Sequence, residues 1–310
     1  MRLLATELRR FSRRRAVRWL VAFGLLLSLV INGVQVARSE EGTQYSRGGS
    51  SFLSPECRTG EHNGLPVVDQ RCFESSLGGP GPSNGQIVEF YFASPSDRRV
   101  RIGRTFEDTV AGMGVALSLL GILLGSTFLA AEFGAAGFAT QLLFEPRRWL
   151  LYAAKVGAVA IGCALVAVLL VAWTGLGQYV ASALRGSTEG VDGAWLVDRA
   201  GNTLRAAAAC ALAGVCALAV GALARRTVVA VVIFFGLVIA TGFLINTSWG
   251  RPLGRNSPMN GIFAVGNGDF GDSETWAGLA SLGGALLVAA AWAVGLSLLA
   301  AWWLSRSEIR

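Results

Sequence analysis

Six long apolar blocks, each separated from the next by polar sequence, constrain this chain more than any other feature. They are Trp19–Val36, Thr109–Ala131, Leu150–Gly175, Ala206–Ala224, Thr227–Asn246 and Trp276–Leu304. A hydrocarbon core of about 30 Å is crossed by roughly 20 apolar residues in an α-helix. Of the 310 residues 53% are hydrophobic and only 15% charged, where a soluble domain carries about 25% charged residues. The pattern excludes an ordinary soluble protein and predicts an all-α membrane protein with six transmembrane helices. The first block also has features of a secretory signal: a basic flank at Arg13, Arg14, Arg15 and Arg18, and small residues near Ala37-Arg38-Ser39. Its apolar run exceeds the usual signal length and more spans follow, so it is read as an uncleaved first helix.

Arginine placement sets the expected orientation. The N-terminal tail carries Arg2, Arg9, Arg10, Arg13, Arg14, Arg15 and Arg18. The second-to-third connection carries Arg147, Arg148 and Lys155, the fourth-to-fifth Arg225 and Arg226, and the C-terminal tail Arg306 and Arg310. With six spans all four segments share one side. The other side spreads a similar number of arginines over more than twice as many residues and holds most of the acids, from Glu40 and Glu41 to Asp272 and Glu274. Both termini are therefore expected in the cytoplasm, with the protein in the plasma membrane. The net charge of +7 reads as topology, not as nucleic-acid binding, for no basic patch with interleaved aromatics occurs.

Cysteine usage fits this topology. Cys57 and Cys72 fall in the long external segment, while Cys163, Cys210 and Cys216 fall within spans as small packing residues. On the oxidising side of the membrane Cys57 and Cys72 can form a disulfide worth about 3 kcal/mol in the chain-entropy model, or stay as two free thiols. The single histidine, His62, and the cysteine spacing suggest no metal site.

Residues 1–18 are expected to form an amphipathic helix along the inner leaflet, with Leu4, Leu8 and Phe11 on one face, or to act simply as a basic anchor. The external insertion 37–108 is rich in Gly and Ser, and only Gln86–Ala93 reads as a strand within it. About 70 residues with so little apolar content bury no large core. The loops near Gln178–Arg205 and Trp249–Glu274 carry no motif. The remainder, 19–310, is treated as one six-span transmembrane domain bearing that insertion.

Several chemistries are missing. Proton-coupled transport generally needs ionisable residues within spans, and the only lysine, Lys155, is expected to snorkel back to the interface. A Walker A loop requires Lys in G-x-x-x-x-G-K-[ST], and Lys155 lies in Tyr-Ala-Ala-Lys-Val-Gly. No H-E-x-x-H or nucleophile–base pair occurs either, so the chain is not expected to be an enzyme. Gly121-x-x-x-Gly125 permits close helix approach, read first as packing within the bundle and second as a dimer seam.

The richest cytoplasmic stretch is Glu132–Trp149. An acid closes one span, a short run with Phe138, Leu142 and Leu143 follows, and Pro146 suits the first turn of the next helix. In order, Glu132, Gly137, Leu142, Leu143, Pro146, Arg147, Arg148 and Lys155 resemble the coupling region of permease subunits of type-2 ABC (ATP-binding cassette) exporters, in the form found in high-GC Gram-positive bacteria. The motif covers about 25 residues, and the six spans and N-terminal helix extend a weaker resemblance over most of the chain. Two features depart from it: a longer first external loop, and a fifth-to-sixth connection with only Ile262, Phe263, Ala264 and Val265 in place of clear apolar re-entrant helices.

The resemblance implies the transmembrane subunit of an ABC transporter, an exporter working as two permease chains, identical or related, with two ATPase subunits. The chain itself would bind no cofactor, and ATP and Mg would belong to the partner ATPase. Coupling would pass through Glu132, Gly137, Leu142, Leu143, Pro146, Arg147 and Arg148. Substrate-facing residues would come from the second and fifth spans, with Ser118, Thr127, Phe234 and Phe235 as candidates. Membrane lipid is a further partner; nucleic acid is not. The alternatives are an ion-driven secondary transporter and a non-transporting signalling or scaffold protein.

Overall fold

The structure is a computed structural model that describes residues 2–38, 58–62, 65–68, 100–134, 148–187, 191, 193–267 and 281–306. Among these, α1 spans Arg2–Arg13, α2 Arg15–Arg38, α3 Ile102–Gly134, α4 Arg148–Arg185, α5 Gly193–Ala224, α6 Thr227–Ile245, α7 Arg251–Arg255, α8 Pro258–Asn267 and α9 Leu282–Arg306. Four short strands, β1 Arg58–His62, β2 Leu65–Val68, β3 Val100–Arg101 and β4 Gly186–Ser187, complete the described elements. Six helices are long and apolar enough to cross a membrane: α2, α3, α4, α5, α6 and α9. The chain is a multi-pass membrane protein by that criterion.

Four of the six helices, α2, α3, α4 and α5, outrun the apolar blocks that foretold them. The third span continues to Leu184 and the fourth begins at Trp195, because intrahelical hydrogen bonds do not stop where hydropathy falls. At 38 residues, α4 is roughly 57 Å long at 1.5 Å per residue, well beyond a bilayer core.

The chain divides into two compact units. One comprises Met1–Ile31, Gly103–Gly177 and Gly190–Arg310; the other comprises Asn32–Ile102 and Gln178–Glu189. In the second unit β1 and β2 pair antiparallel, with an irregularity between Arg58 and Gly60, and β3 pairs parallel with β4. The strands at Arg58–His62 and Leu65–Val68 differ from the sequence expectation, which placed none there. The anticipated strand Gln86–Ala93 lies outside the described residues, as do Cys57 and Cys72.

In the first unit α5 is the centre. Its span is 78% buried, against 17% for α2 and for α6. Small residues explain the position. A Cβ on Gly121 would overlap the carbonyl of Cys210, and one on Gly125 the carbonyl of Gly214, so α3 and α5 touch backbone to backbone. The GxxxG pair thus packs within the chain. Cys163, Cys210 and Cys216 are buried and free. The α5–α6 turn closes in two residues because Arg225 takes the left-handed conformation, at φ 53°.

The sixth-span side corrects an expectation. The connection between α6 and α9 contains α7 and a buried half-length helix, α8, in which Ile262, Phe263, Ala264 and Val265 are all enclosed. It packs against α5 and α9, and Gly266 meets Gly114 of α3 at backbone distance. Its start is set locally. The Ser257 hydroxyl accepts from the Asn260 N–H at 3.2 Å, and Pro258 fills the first helical position.

Candidate functional site

The site begins with α1. Its buried stripe is Glu7 and Phe11, with Leu3 and Leu4 partly covered and Arg14 just beyond its end, the i, i+4, i+7 spacing of one helical face. Gly162 of α4 makes this docking feasible, since a Cβ there would overlap the Phe11 ring. Phe11 then packs on Phe128 of α3, with centroids 5.4 Å apart and planes tilted 58°.

That docking encloses a charge cluster. Lys155, the eighth residue of α4, is fully buried. Its Nζ donates to Glu7 Oε2 at 2.9 Å and lies 2.7 Å from Glu132 Oε2. The Arg14 guanidinium donates to Glu132 Oε1 and, at 3.1 Å, to the Thr127 carbonyl. Arg10, half exposed, donates to Glu7 Oε1 at 2.8 Å. Phe128 forms the floor, 4.4 Å from Arg14 Cζ and 5.3 Å from Lys155 Nζ. Burial lowers the Arg14 pKa from its ordinary value, against the opposing pull of Glu132 and Glu7.

Lys155 therefore does not snorkel. Covering by α1 removes the route to water, and two carboxylates supply the charge that water would otherwise have solvated. Two carboxylates, one lysine and the part-buried Arg14 form a balanced set in which Lys155 lies within a span while Glu7 and Glu132 stand just outside the spans. Glu7 is the residue that sequence reasoning missed. It is the only acid before Glu40, and a lone lysine within a span calls for a counter-ion.

Of the expected coupling residues, Glu132 stands in this cluster, at the last turn of α3. Arg148 opens α4, and Trp149 beside it is exposed. Gly137, Leu142, Leu143, Pro146 and Arg147 lie outside the described residues. The candidate path residues divide otherwise. Ser118 and Thr127 donate to the Gly114 and Leu123 carbonyls of their own helix, each at 2.7 Å. Phe234 is core, and only Phe235 faces outward.

The cluster can hold three segments together: the end of α3, the beginning of α4 and the whole of α1. The last turn of α3 and the first turns of α4 are thereby fixed to one another and to the helix that leads into α2. Compared with known proteins, the chain matches no protein family, no curated protein and no solved structure.

Proposed function

We propose that the chain is the transmembrane subunit of an ABC transporter, an exporter that moves its substrate across the plasma membrane with ATP hydrolysed by a separate subunit. The observation that carries this reading is the clamp on the 135–147 connection. Glu132 precedes the connection and Lys155 follows it; they pair at 2.7 Å and bind α1 through Glu7 and Arg14. A connection fixed at both ends passes a push to the helices instead of absorbing it. Force from a cytosolic ATPase on this segment would move α1, α3 and α4 together, and α2 through Arg14. Opening would occur between two such permeases, identical or related, as rigid-body motion between two packings. The resemblance of Glu132 to Lys155 to the coupling region of type-2 exporters supports the same reading, as does the arginine bias that puts both termini in the cytoplasm.

The test is purification of the tagged full chain from its host in mild detergent, with bound proteins identified by mass spectrometry and ATP hydrolysis assayed. A co-purifying P-loop ATPase, whose recovery falls when Leu143→Ala is introduced, is the expected result. Recovery of the chain alone, without ATP hydrolysis, refutes the proposal. The buried Lys155 with its two carboxylates favours one other reading, an ion-driven secondary transporter. In that case flux in vesicles would follow an ion gradient and need no ATP.

A further inference from the structure

A groove of about 610 Å³ runs between α1, α2 and α4, within the range of about 300–1,000 Å³ usual for ligand sites. Its wall is almost wholly apolar: Leu8 and Phe11 from α1, Val21 and Leu25 from α2, Leu165 and Val166 from α4. Arg9, Ser12 and Arg18 also border it. Both arginines are exposed, and among the described residues neither has a carboxylate partner, unlike Arg10 and Arg14. Arg18 lies in the first turn of the span that begins at Arg15. Leu25 lies seven residues further along, roughly 10 Å down the helix axis. The groove thus has cationic groups where a span begins and an apolar wall running along the span.

We propose that this groove binds one anionic phospholipid from the surrounding bilayer, its phosphate between Arg9 and Arg18 and one acyl chain along Val21, Leu25 and Leu165. Charge complementarity selects the occupant. A guanidinium pair matches phosphate oxygens in planar, charge-assisted hydrogen bonds, and beyond Arg9, Ser12 and Arg18 the lining is apolar, which suits an acyl chain better than a soluble molecule. A second copy of this chain would bring to the groove an equally cationic first turn. The site is independent of any ATPase and stands or falls apart from the transport reading.

The experiment uses the purified full chain in detergent, exposed to phosphatidylglycerol or phosphatidylcholine, with retained lipid counted by native mass spectrometry and melting temperature followed in parallel. The wild-type chain should keep one phosphatidylglycerol and be stabilised by it more than by phosphatidylcholine. Arg9→Gln/Arg18→Gln should weaken that retention by about tenfold or more, the loss expected for charge-assisted hydrogen bonds. Ala22→Trp, at an exposed groove position, should displace the lipid while the chain still melts cooperatively. Equal retention of the two lipids by the wild-type chain overturns the proposal, as does undiminished phosphatidylglycerol in both variants. A dimer that Ala22→Trp converts to monomer with the lipid count unchanged makes a second copy the occupant and also overturns it. Stabilisation by inorganic phosphate alone does the same.

Discussion

Lys155 is held by charges it cannot do without. Replacement by Met would leave the enclosed Glu7 and Glu132 with only the part-exposed Arg14 and Arg10 as partners among the described residues, and breaking a buried pair from one side costs roughly 3–5 kcal/mol. The melting temperature of Lys155→Met in detergent should fall sharply, and adding Glu132→Gln should restore part of the loss because one uncompensated carboxylate is removed with it. An unchanged melting temperature for the single variant would mean that the cluster contributes nothing. Gly125 offers a test of packing. A side chain there meets the Gly214 carbonyl, so Gly125→Leu must separate α3 from α5, at a cost of about 1–3 kcal/mol or more. Gly295→Leu, on an open face of α9 with no neighbour within 4 Å, is the matching control and should melt like the wild type.

At the scale of elements, α1 and α8 are decided by different physics. The N-terminal helix has too little apolar surface to dock on hydrophobicity alone. Its covered stripe alternates Leu4, Glu7, Phe11 and Arg14, and the charged members find partners on α3 and α4. The reading of Leu4, Leu8 and Phe11 as an apolar face captured the packing at Phe11 but not the acid beside it. In α8 the decision is local. Ser257 and Pro258 are an N-cap and first-turn signal, and the Thr241 hydroxyl donates to Ser257 Oγ at 3.0 Å, tying the cap to α6. Ser257→Ala should cost about 1 kcal/mol, and the amides of α8 should exchange with deuterium faster than those of α5. Equal protection in variant and wild type would remove the cap from the account. Ser257-Pro258 is a start signal legible in the sequence itself, as is Asn63-Gly64, a favoured hairpin pair that separates the paired segments 58–62 and 65–68 along the chain.

For the whole molecule, the transport reading makes a demand on the clamp. Glu132→Lys sets a third cation beside Lys155 and Arg14, so the end of α3 should no longer be held to α1 and α4. ATP-driven transport in reconstituted vesicles should be lost, while ATP hydrolysis by the isolated partner is unchanged. Full transport by this variant would separate the cluster from coupling. Outward-facing apolar side chains are a second property of the assembled chain: Trp19, Phe23 and Leu26 on α2, and Val232, Ile239 and Phe243 on α6, are exposed, as helices in contact with lipid or with another membrane protein would be. Six helices of membrane length can be read from hydropathy alone, although α5 begins at Gly193, well before its apolar block opens at Ala206. Apolar transfer sums along a helix whatever its neighbours are, so span content can be read without knowing the packing. Only the tertiary structure decided that α5 is central, that Gly121 and Gly125 serve an internal contact, and that Lys155 stays inside. Glu7 and Lys155 stand 148 residues apart, and a buried charge is tolerable only once the chain has folded its counter-ion against it.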